Sequence, residues 1–259
     1  NNWKSSKDLI QKLADISSKG GNFLLNVGPT SEGLFPQKSI ERLEQIGDWM
    51  SENNEAIYGT NASPFQHLPW GRCTQKTIDG NTRLFLHVFS WPNNGLLVLP
   101  GIYNKTDGAF LLANKNKKLV CFNKGDNIII KVPTTALNPS NTVVVLDLVG
   151  KPDVNDPPMI MKKQNIFIDK INVSITTNRE NVEIYYTLDG TSPNKKSQSI
   201  VGPVTITETS LITAQNFRNG KPVSGTTQTL FTKVTPQKGV KVNELKKGLH
   251  YKYFEGSWD

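Results

Sequence analysis

Cysteine and histidine are scarce in this chain of 259 residues, which contains two Cys and three His. Cys73 and Cys121 permit one disulfide and require none, and because both fall in predicted strands, two buried unpaired thiols are favoured. The three histidines, His67, His87 and His250, lie far apart in the sequence and lack the spacing of metal ligands. The sequence therefore predicts no metal site and no cofactor.

Long apolar runs are also missing, and no stretch is long enough for a membrane-spanning helix. The net charge of +8 comes from 30 basic and 22 acidic residues, and the lysines are scattered over turns such as residues 114–118. Without a basic helix, an aromatic-lined basic groove or a recognition motif, the sequence predicts no nucleic-acid partner, while attraction to acidic glycans stays open. With 36% hydrophobic and 20% charged residues, the composition is that of a globular protein with two ordinary domains or one large one.

Two helical patterns flank a short apolar run near the start of the chain. The first helix is predicted to begin at Ser5 or Ser6, with Asp8 completing a capping box, and to end at the glycine pair 20–21. The second is predicted over residues 36–54, and its apolar stripe consists of Ile40, Leu43, Ile46, Trp49 and Met50. The predicted order is helix, strand, helix.

The apolar run, residues 23–27, is predicted to be a fully buried parallel strand. Its apolar residues do not alternate with polar ones, which is the pattern of strands in sheets that helices cover on both faces. A parallel strand needs neighbours reached through crossover connections, and no second run of this kind follows downstream. We therefore expect residues 1–56 to close a larger α/β domain whose other strands precede Asn1.

The same segment carries a family resemblance. The blocks GGNFLLNVGPTSEG and LEQIGDWMSENNEAIYGT, within residues 1–60, resemble the end of the catalytic barrel of glycoside hydrolase family 29, the α-L-fucosidases. The resemblance implies a (β/α) barrel whose last strand is residues 23–27, with the loop 28–36 at the catalytic C-terminal face. The β-rich region up to about residue 150 resembles the domain that follows the barrel in that family.

From about Ala56 onward the pattern changes to short strands separated by turn residues, which predicts an antiparallel β-sandwich over residues 57–150. The turn Asp79-Gly80-Asn81 predicts a hairpin between residues 73–78 and 82–90. The further strands are predicted at residues 95–99, 109–112, 118–122, 127–132 and 142–149.

A polar, proline-rich stretch at residues 151–158 is the predicted linker, which we expect few contacts to cross. Strands are then predicted at residues 159–168, 172–177, 182–188, 204–206, 210–216 and 228–234. The block VEIYYTLDGTSP and the residues after it resemble the immunoglobulin-like module at the end of chitobiases and β-hexosaminidases. The expected fold is thus multidomain: the last α-β-α unit of a (β/α) barrel, an antiparallel sandwich, an immunoglobulin-like domain over 159–235, and the start of a further, truncated segment at 236–259.

Retaining glycosidases need two carboxyl groups about 5 Å apart. In the family that this chain resembles, both precede the last barrel strand, so the resemblance assigns no catalytic residue here. Three residues are candidates for the rim of the substrate site. Trp3 could offer an aromatic ring to a sugar or be an ordinary loop tryptophan. Asn26, predicted to be buried in the strand, could tie neighbouring loops together or touch the substrate. Glu32 lies in the loop after the strand, where a solvated loop residue is the simpler interpretation.

Other aromatic and polar residues have structural interpretations. Trp49 is predicted to be in the core, and Trp70 and Trp91 are expected to seal the interface between barrel and sandwich. Tyr185 and Tyr186 should point to opposite faces of one strand, so only one of them can belong to a surface patch. The glycosylation acceptor pattern occurs at Asn61, Asn104 and Asn172.

The resemblance implies a retaining exo-α-L-fucosidase that removes terminal fucose from glycans. Its expected partners are these fucosylated glycans, and its expected location is the periplasm or the outside of the cell. Because the catalytic carboxylates are expected upstream, residues 1–259 alone are predicted to be inactive. The alternative is a non-catalytic carbohydrate-binding or spacer protein made of β modules.

Overall fold

The computed structural model describes residues 3–239, 248 and 251–253. Helices α1 (Ser6–Ser18) and α2 (Gln37–Asn53) are followed by a 3₁₀ turn (Asn54–Ala56). The next strands are β1 (Gly71–Ile78), β2 (Asn81–Val88), β3 (Leu96–Pro100), β4 (Thr106–Leu111), β5 (Asn114–Lys118), β6 (Cys121–Lys124), β7 (Asn127–Lys131) and β8 (Thr142–Leu148). The strands after residue 158 are β9 (Met159–Met161), β10 (Ile166–Phe167), β11 (Ile171–Thr176), β12 (Glu183–Thr187), β13 (Gln198–Ser199), β14 (Val204–Ile206), β15 (Ser210–Arg218) and β16 (Lys221–Lys233).

Helix α1 begins as its sequence predicts. The backbone N–H of Asp8 donates to the Ser5 hydroxyl at 3.0 Å, and the Ser5 N–H donates to the Asp8 carboxylate at 3.3 Å, which completes the capping box. The helix stops at Gly20, whose φ of 75° lies in the left-handed region that favours glycine. Pro36 precedes the first residue of α2 as its cap.

The strand predicted at residues 23–27 does not form. The segment has no regular secondary structure, Leu24 is 91% exposed, and Asn26, predicted to be buried, is exposed as well. Phe23, Leu25 and Val27 are half-buried, so alternate side chains face the protein. A strand needs a neighbouring strand for its backbone hydrogen bonds, and within the described residues none pairs with this segment.

The first β region is an antiparallel sandwich. One sheet has the strand order β1-β2-β8-β4-β5, the other has the order β3-β7-β6, and the main hydrophobic core lies between them. The hairpin between β1 and β2 turns through Asp79 and Gly80, both left-handed with φ of 48° and 78°, as the Asp-Gly sequence predicts. The strand predicted at 118–122 is two strands, since β5 ends at Lys118 and β6 begins at Cys121.

The helices pack on the outer face of the larger sheet. Phe85 of β2 and Val145 of β8 are fully buried there against Ile10 of α1 and Trp49 of α2. The Trp49 indole N–H donates to the Asn141 carbonyl at 2.8 Å. Helices therefore cover one face of the central strands and the second sheet covers the other.

Trp70 and Trp91, which were expected to seal the interface between barrel and sandwich, do not lie between the helices and the sheet. Trp70 is buried in the core between the two sheets and donates to the Val98 carbonyl at 2.7 Å. Trp91 packs against the same core and donates to the Pro133 carbonyl at 2.8 Å. The expectation for both was wrong, because the apolar partners of these rings come from the sandwich and not from the helices.

Ion pairs tie the helical end to the sandwich. Asp15 of α1 accepts from Arg72 of β1 at 2.5 Å. Glu55, in the 3₁₀ turn, pairs with Arg83 of β2 at 3.2 Å and with Lys115 of β5 at 2.8 Å. Carboxylates from α1 and from the 3₁₀ turn after α2 thus pair with basic residues of the same sheet.

The second β region has its own core between two sheets, with the strand orders β10-β16-β15-β12-β13 and β14-β11-β9. The strand predicted at 159–168 is split into β9 and β10, which belong to different sheets. Strand β10 pairs in parallel with β16, and the other pairs in these sheets are antiparallel.

The linker makes more contacts than expected. The N–H of Asn155 donates to the Gly101 carbonyl at 2.7 Å, and the carboxylate of Asp153 pairs with Arg179 and Arg218 of the second β region. Most of the segment 236–259 lies outside the described residues. No helix in the described part of the chain has the length and apolarity needed to cross a membrane.

Candidate functional site

A groove of about 150 Å³ lies between the segment 21–35 and the two helices. It contains two of the three candidate rim residues. Its lining is formed by Trp3, Lys4, Leu9, Leu25, Asn26, Val27, Ser39, Arg42 and Leu43. Apolar side chains from α1, α2 and the segment form its walls, and polar groups lie at its border.

Trp3 is held at this groove by Arg42 of α2. The Arg42 guanidinium carbon lies 5.9 Å from the centre of the Trp3 ring, within the range of a cation–π contact. The same guanidinium donates to the backbone carbonyls of Lys4, at 2.8 Å, and Lys38, at 3.0 Å. Trp3 is 36% exposed, so it contacts Arg42 and remains accessible. Sequence reasoning missed Arg42, because it acts through backbone carbonyls that no residue pattern reveals.

Asn26 lies at the same groove with its side chain exposed. Its predicted burial depended on neighbouring strands, which are absent from the described residues. An accessible amide can both donate and accept hydrogen bonds, which suits contact with sugar hydroxyls. The structure thus brings Trp3 and Asn26 together at one groove.

Glu32 lies apart from this groove in a tight turn. The turn is closed by the Thr30 N–H, which donates to the Leu34 carbonyl at 2.8 Å, and Gly33 adopts a left-handed φ of 79°. A hydrogen bond from the Ser31 hydroxyl at 2.7 Å, followed by one from Thr30, lowers the pKa of the exposed Glu32 carboxyl. A carboxyl that is ionised more readily than usual is poorly suited to donate a proton at neutral pH.

The two cysteines and His87 lie outside this groove, and Cys73 is buried as predicted, whereas Cys121 in the short edge strand β6 is only half-buried. Cys73 and Cys121 are both free, and burial raises the pKa of the Cys73 thiol. Burial lowers the pKa of His87 to about 4, and its ring nitrogens lie 3.2 Å from the Thr74 hydroxyl and 3.1 Å from the Asn141 amide. Among the residues that the structure describes, no three His, Cys, Asp or Glu side chains form a group that could hold a metal ion.

The tyrosine pair of the second β region also has structural contacts. Tyr185 packs edge-to-face on Phe217 at 5.0 Å and donates to Glu183, while Tyr186 packs against the core. The two rings therefore lie on opposite faces of β12, as predicted.

One residue with the glycosylation acceptor pattern, Asn104, is buried. Its side-chain amide donates to two backbone carbonyls, at 2.7 and 3.0 Å, so this glycosylation pattern is enclosed by the protein.

Comparisons with known proteins address both ends of the chain. The family model for Alpha-L-fucosidase matches residues 1–55, and that for the Chitobiase/beta-hexosaminidase C-terminal domain matches residues 163–229. An alpha-L-fucosidase from Dictyostelium discoideum is 39% identical over 119 residues, which are 45% of this chain and 25% of that protein. This chain thus spans about a quarter of that relative's length.

Solved structures of alpha-L-fucosidases are also similar to parts of this chain. Alpha-L-fucosidase isoenzyme 1 from Paenibacillus thiaminolyticus has a TM-score of 0.52 at 33% identity over 57% of this chain and 35% of its own. The alpha-L-fucosidase from Vibrio sp. strain EJY3 covers 90% of this chain and 46% of its own with a TM-score of 0.53, and at 21% identity it is similar in fold alone. Residues 1–55 are therefore similar to alpha-L-fucosidases and residues 163–229 to the chitobiase/beta-hexosaminidase C-terminal domain, and the chain covers in part the alpha-L-fucosidases to which it is similar.

Proposed function

We propose that this chain is part of a retaining exo-α-L-fucosidase and supplies the last unit of its catalytic barrel, in residues 1–56. In this proposal residues 57–150 form a sandwich joined to the barrel, and residues 151–158 link it to an immunoglobulin-like accessory domain at 159–235. A further segment starts at 236. The substrates are fucosylated glycans, and the enzyme acts in the periplasm or outside the cell.

The observation that carries the proposal is the open side of the segment 21–35, within the region that matches the fucosidase family. Alternate side chains of this segment face α1 and α2, while Leu24, Leu34 and Phe35 are 91%, 67% and 58% exposed. A barrel strand has one side against its helices and the other side in the barrel interior. Further parallel strands beside this segment would cover the exposed apolar side.

The proposal assigns no catalytic residue to this chain. Retention of configuration requires a nucleophilic carboxylate and a second carboxyl that protonates the leaving oxygen, about 5 Å apart. Both are proposed to come from the earlier barrel strands. Trp3 and Asn26 would lie at the rim of the sugar site, and Glu32 would lie in a loop at the catalytic face without acting as acid or base.

The test is release of nitrophenol from an aryl α-L-fucoside by two purified proteins. We expect no release above a heat-killed control from residues 1–259, and turnover by a chain lengthened at its N-terminus by the rest of the barrel. Activity of residues 1–259 alone would contradict the proposed absence of catalytic carboxylates. An inactive but folded long chain would contradict the proposed activity.

Trp3 gives a second readout in the long chain. Trp3→Ala should raise KM for the aryl fucoside several-fold with a smaller change in kcat, because a ring at the rim contributes to binding more than to bond cleavage. Trp70→Phe is a suitable control, since Trp70 is buried between the sheets of the sandwich. Equal effects of the two substitutions would place Trp3 outside the substrate site.

A non-catalytic carbohydrate-binding or spacer protein is the second candidate. The observation that favours it is the match of residues 163–229 to the chitobiase/β-hexosaminidase C-terminal domain, with no assigned catalytic residue. Binding of residues 1–259 to fucosylated glycans, together with an inactive lengthened chain, would support this function instead.

A further inference from the structure

The linker 151–158 is attached to the first sandwich along its backbone. The Tyr103 N–H donates to the Asp153 carbonyl at 3.1 Å, and the Asn155 N–H donates to the Gly101 carbonyl at 2.7 Å. The buried Asn104 amide oxygen accepts from the Asp153 N–H at 2.7 Å. The linker therefore follows the surface of the first sandwich as a fixed strand-like extension and does not hang free.

Two arginines of the second β region bind one carboxylate of this linker, that of Asp153. Arg179, in the connection between β11 and β12, donates from Nε to Asp153 Oδ1 at 3.0 Å. Arg218, at the end of β15, donates from Nη1 to Asp153 Oδ2 at 2.7 Å. Each carboxylate oxygen thus has its own guanidinium, and both guanidinium groups come from the second region.

The two arginines are themselves held in place. The Arg179 side chain is only 5% exposed, its guanidinium carbon lies 5.3 Å from the centre of the Tyr103 ring, and it donates to the Val223 carbonyl. Arg218 also donates to the Asn181 carbonyl at 3.1 Å. The contacts to Val223 and Asn181 lie within the second region, so they hold each guanidinium before it meets the carboxylate and little side-chain entropy is lost when the junction closes. The contact with Tyr103 crosses the junction and forms with it.

We propose that Asp153 locks the second β domain in one orientation relative to the first by dividing its carboxylate between Arg179 and Arg218. An eight-residue linker without such contacts would leave the two domains free to move. Charge-assisted hydrogen bonds are stronger and more directional than neutral ones, so they fix geometry as well as add stability. Loss of the carboxylate charge would leave the mostly buried Arg179 guanidinium without its counter-charge.

The test is limited proteolysis of residues 1–259 by thermolysin, which cuts before apolar residues, with the fragments mapped by mass spectrometry. The bond before Met159 reports on the end of the linker, since no substitution used here changes the two residues that flank it. The bond before Val154 is not scored, because Asp153→Asn changes a residue at that bond. The exposed segment 21–35 provides an internal reference in the same sample. We expect Asp153→Asn to increase cleavage at the linker about tenfold relative to the reference, since the linker opens more often once its charge-assisted hydrogen bonds are weakened.

Arg218→Met provides a second variant that keeps the apolar stem while removing the charged head. It should increase linker cleavage in the same direction, which keeps the test decisive if Asp153→Asn does not fold. The matched control is Glu180→Gln, at the same junction but in an exposed pair with Lys151 at 3.6 Å. It should leave the cleavage ratio unchanged.

Three outcomes would overturn the lock. The first is an unchanged linker cleavage ratio in both folded variants. The second is an equal increase in the Glu180→Gln control. The third is new cleavage inside β11, β12 or β15, which would mean that the variants unfold the second domain and do not release it. None of these outcomes depends on fucosidase activity, so the lock and the proposed function fail independently.

Discussion

Two runs of five residues, Phe-Leu-Leu-Asn-Val at 23–27 and Leu-Phe-Leu-His-Val at 84–88, are alike in sequence and differ in their surroundings. The second run lies in β2, between β1 and β8, with every one of its side chains buried. Its polar residue, His87, finds partners in Thr74 and Asn141. The first run has no strand beside it within the described residues, and its polar residue, Asn26, is exposed. Apolar sequence alone therefore does not make a strand, since the backbone also needs a partner strand on at least one edge.

The largest expected effect comes from truncating one large side chain in each run. Phe85→Ala should lower the free energy of unfolding by about 3–5 kcal/mol, because Phe85 is fully buried between the sheet and the helices. Leu24→Ala should change it by less than about 0.5 kcal/mol, because Leu24 is 91% exposed. Urea unfolding of residues 1–259 and of both variants measures the difference. A similar loss in the two variants would show that residues 23–27 are packed in solution.

The polar residue of the second run, His87, should make the stability of the protein depend on pH, whereas Asn26 of the first run does not titrate. The pKa of His87 is about 4 in the folded protein, below the ordinary 6.5, because burial disfavours the charged ring. The unfolded chain therefore binds a proton that the folded chain does not, and stability falls as the pH drops from 6.5 towards 4. This loss amounts to roughly 3 kcal/mol, and urea unfolding at several pH values between 4 and 7 measures it.

His87→Gln should abolish most of this pH dependence, since glutamine carries a donor and an acceptor but does not titrate in this range. The exposed His67 supplies the control, and His67→Gln should leave the pH dependence intact. If the slope survives in a folded His87→Gln variant, another group is responsible for it.

The smallest expected effect concerns the second β region. Deleting everything after Asp156 from the lengthened, active chain should leave turnover of an aryl fucoside within a few-fold. This corresponds to about 1 kcal/mol or less of transition-state stabilisation. The physical reason is that helices α1 and α2 pack on the first sandwich and not on the second β region. Loss of activity by orders of magnitude in a folded variant would mean that the domain contributes to the active site.

Features set by neighbouring residues could be predicted from the sequence. The capping box of Ser5 and Asp8 and the left-handed turn at Asp79 and Gly80 depend on side chains within four positions of each other. The burial of Trp49 also followed from its place in a helical stripe. These predictions needed no knowledge of which elements meet.

Features that depend on distant partners could not be predicted. The burial of Asn26 required strands that the described residues do not supply, and the positions of Trp70 and Trp91 depended on which faces the two sheets present to each other. At the candidate site, Trp3 was identified as an aromatic residue near a loop. The contact between Trp3 and Arg42 could not be predicted, because the two residues are 39 positions apart in sequence.

The packing of Trp49 has a consequence for how such proteins can be assembled by gene recombination. Its indole bonds the Asn141 carbonyl, and the Asn141 amide contacts His87, so α2 is connected to the middle of the sandwich. A crossover that replaced the sandwich after residue 56 would remove Phe85 and Val145 from beneath the helices. A crossover within residues 151–158 would exchange the second β region and leave the contacts of Trp49 intact. The unit that can be inherited intact is therefore the two helices together with the sandwich on which they pack.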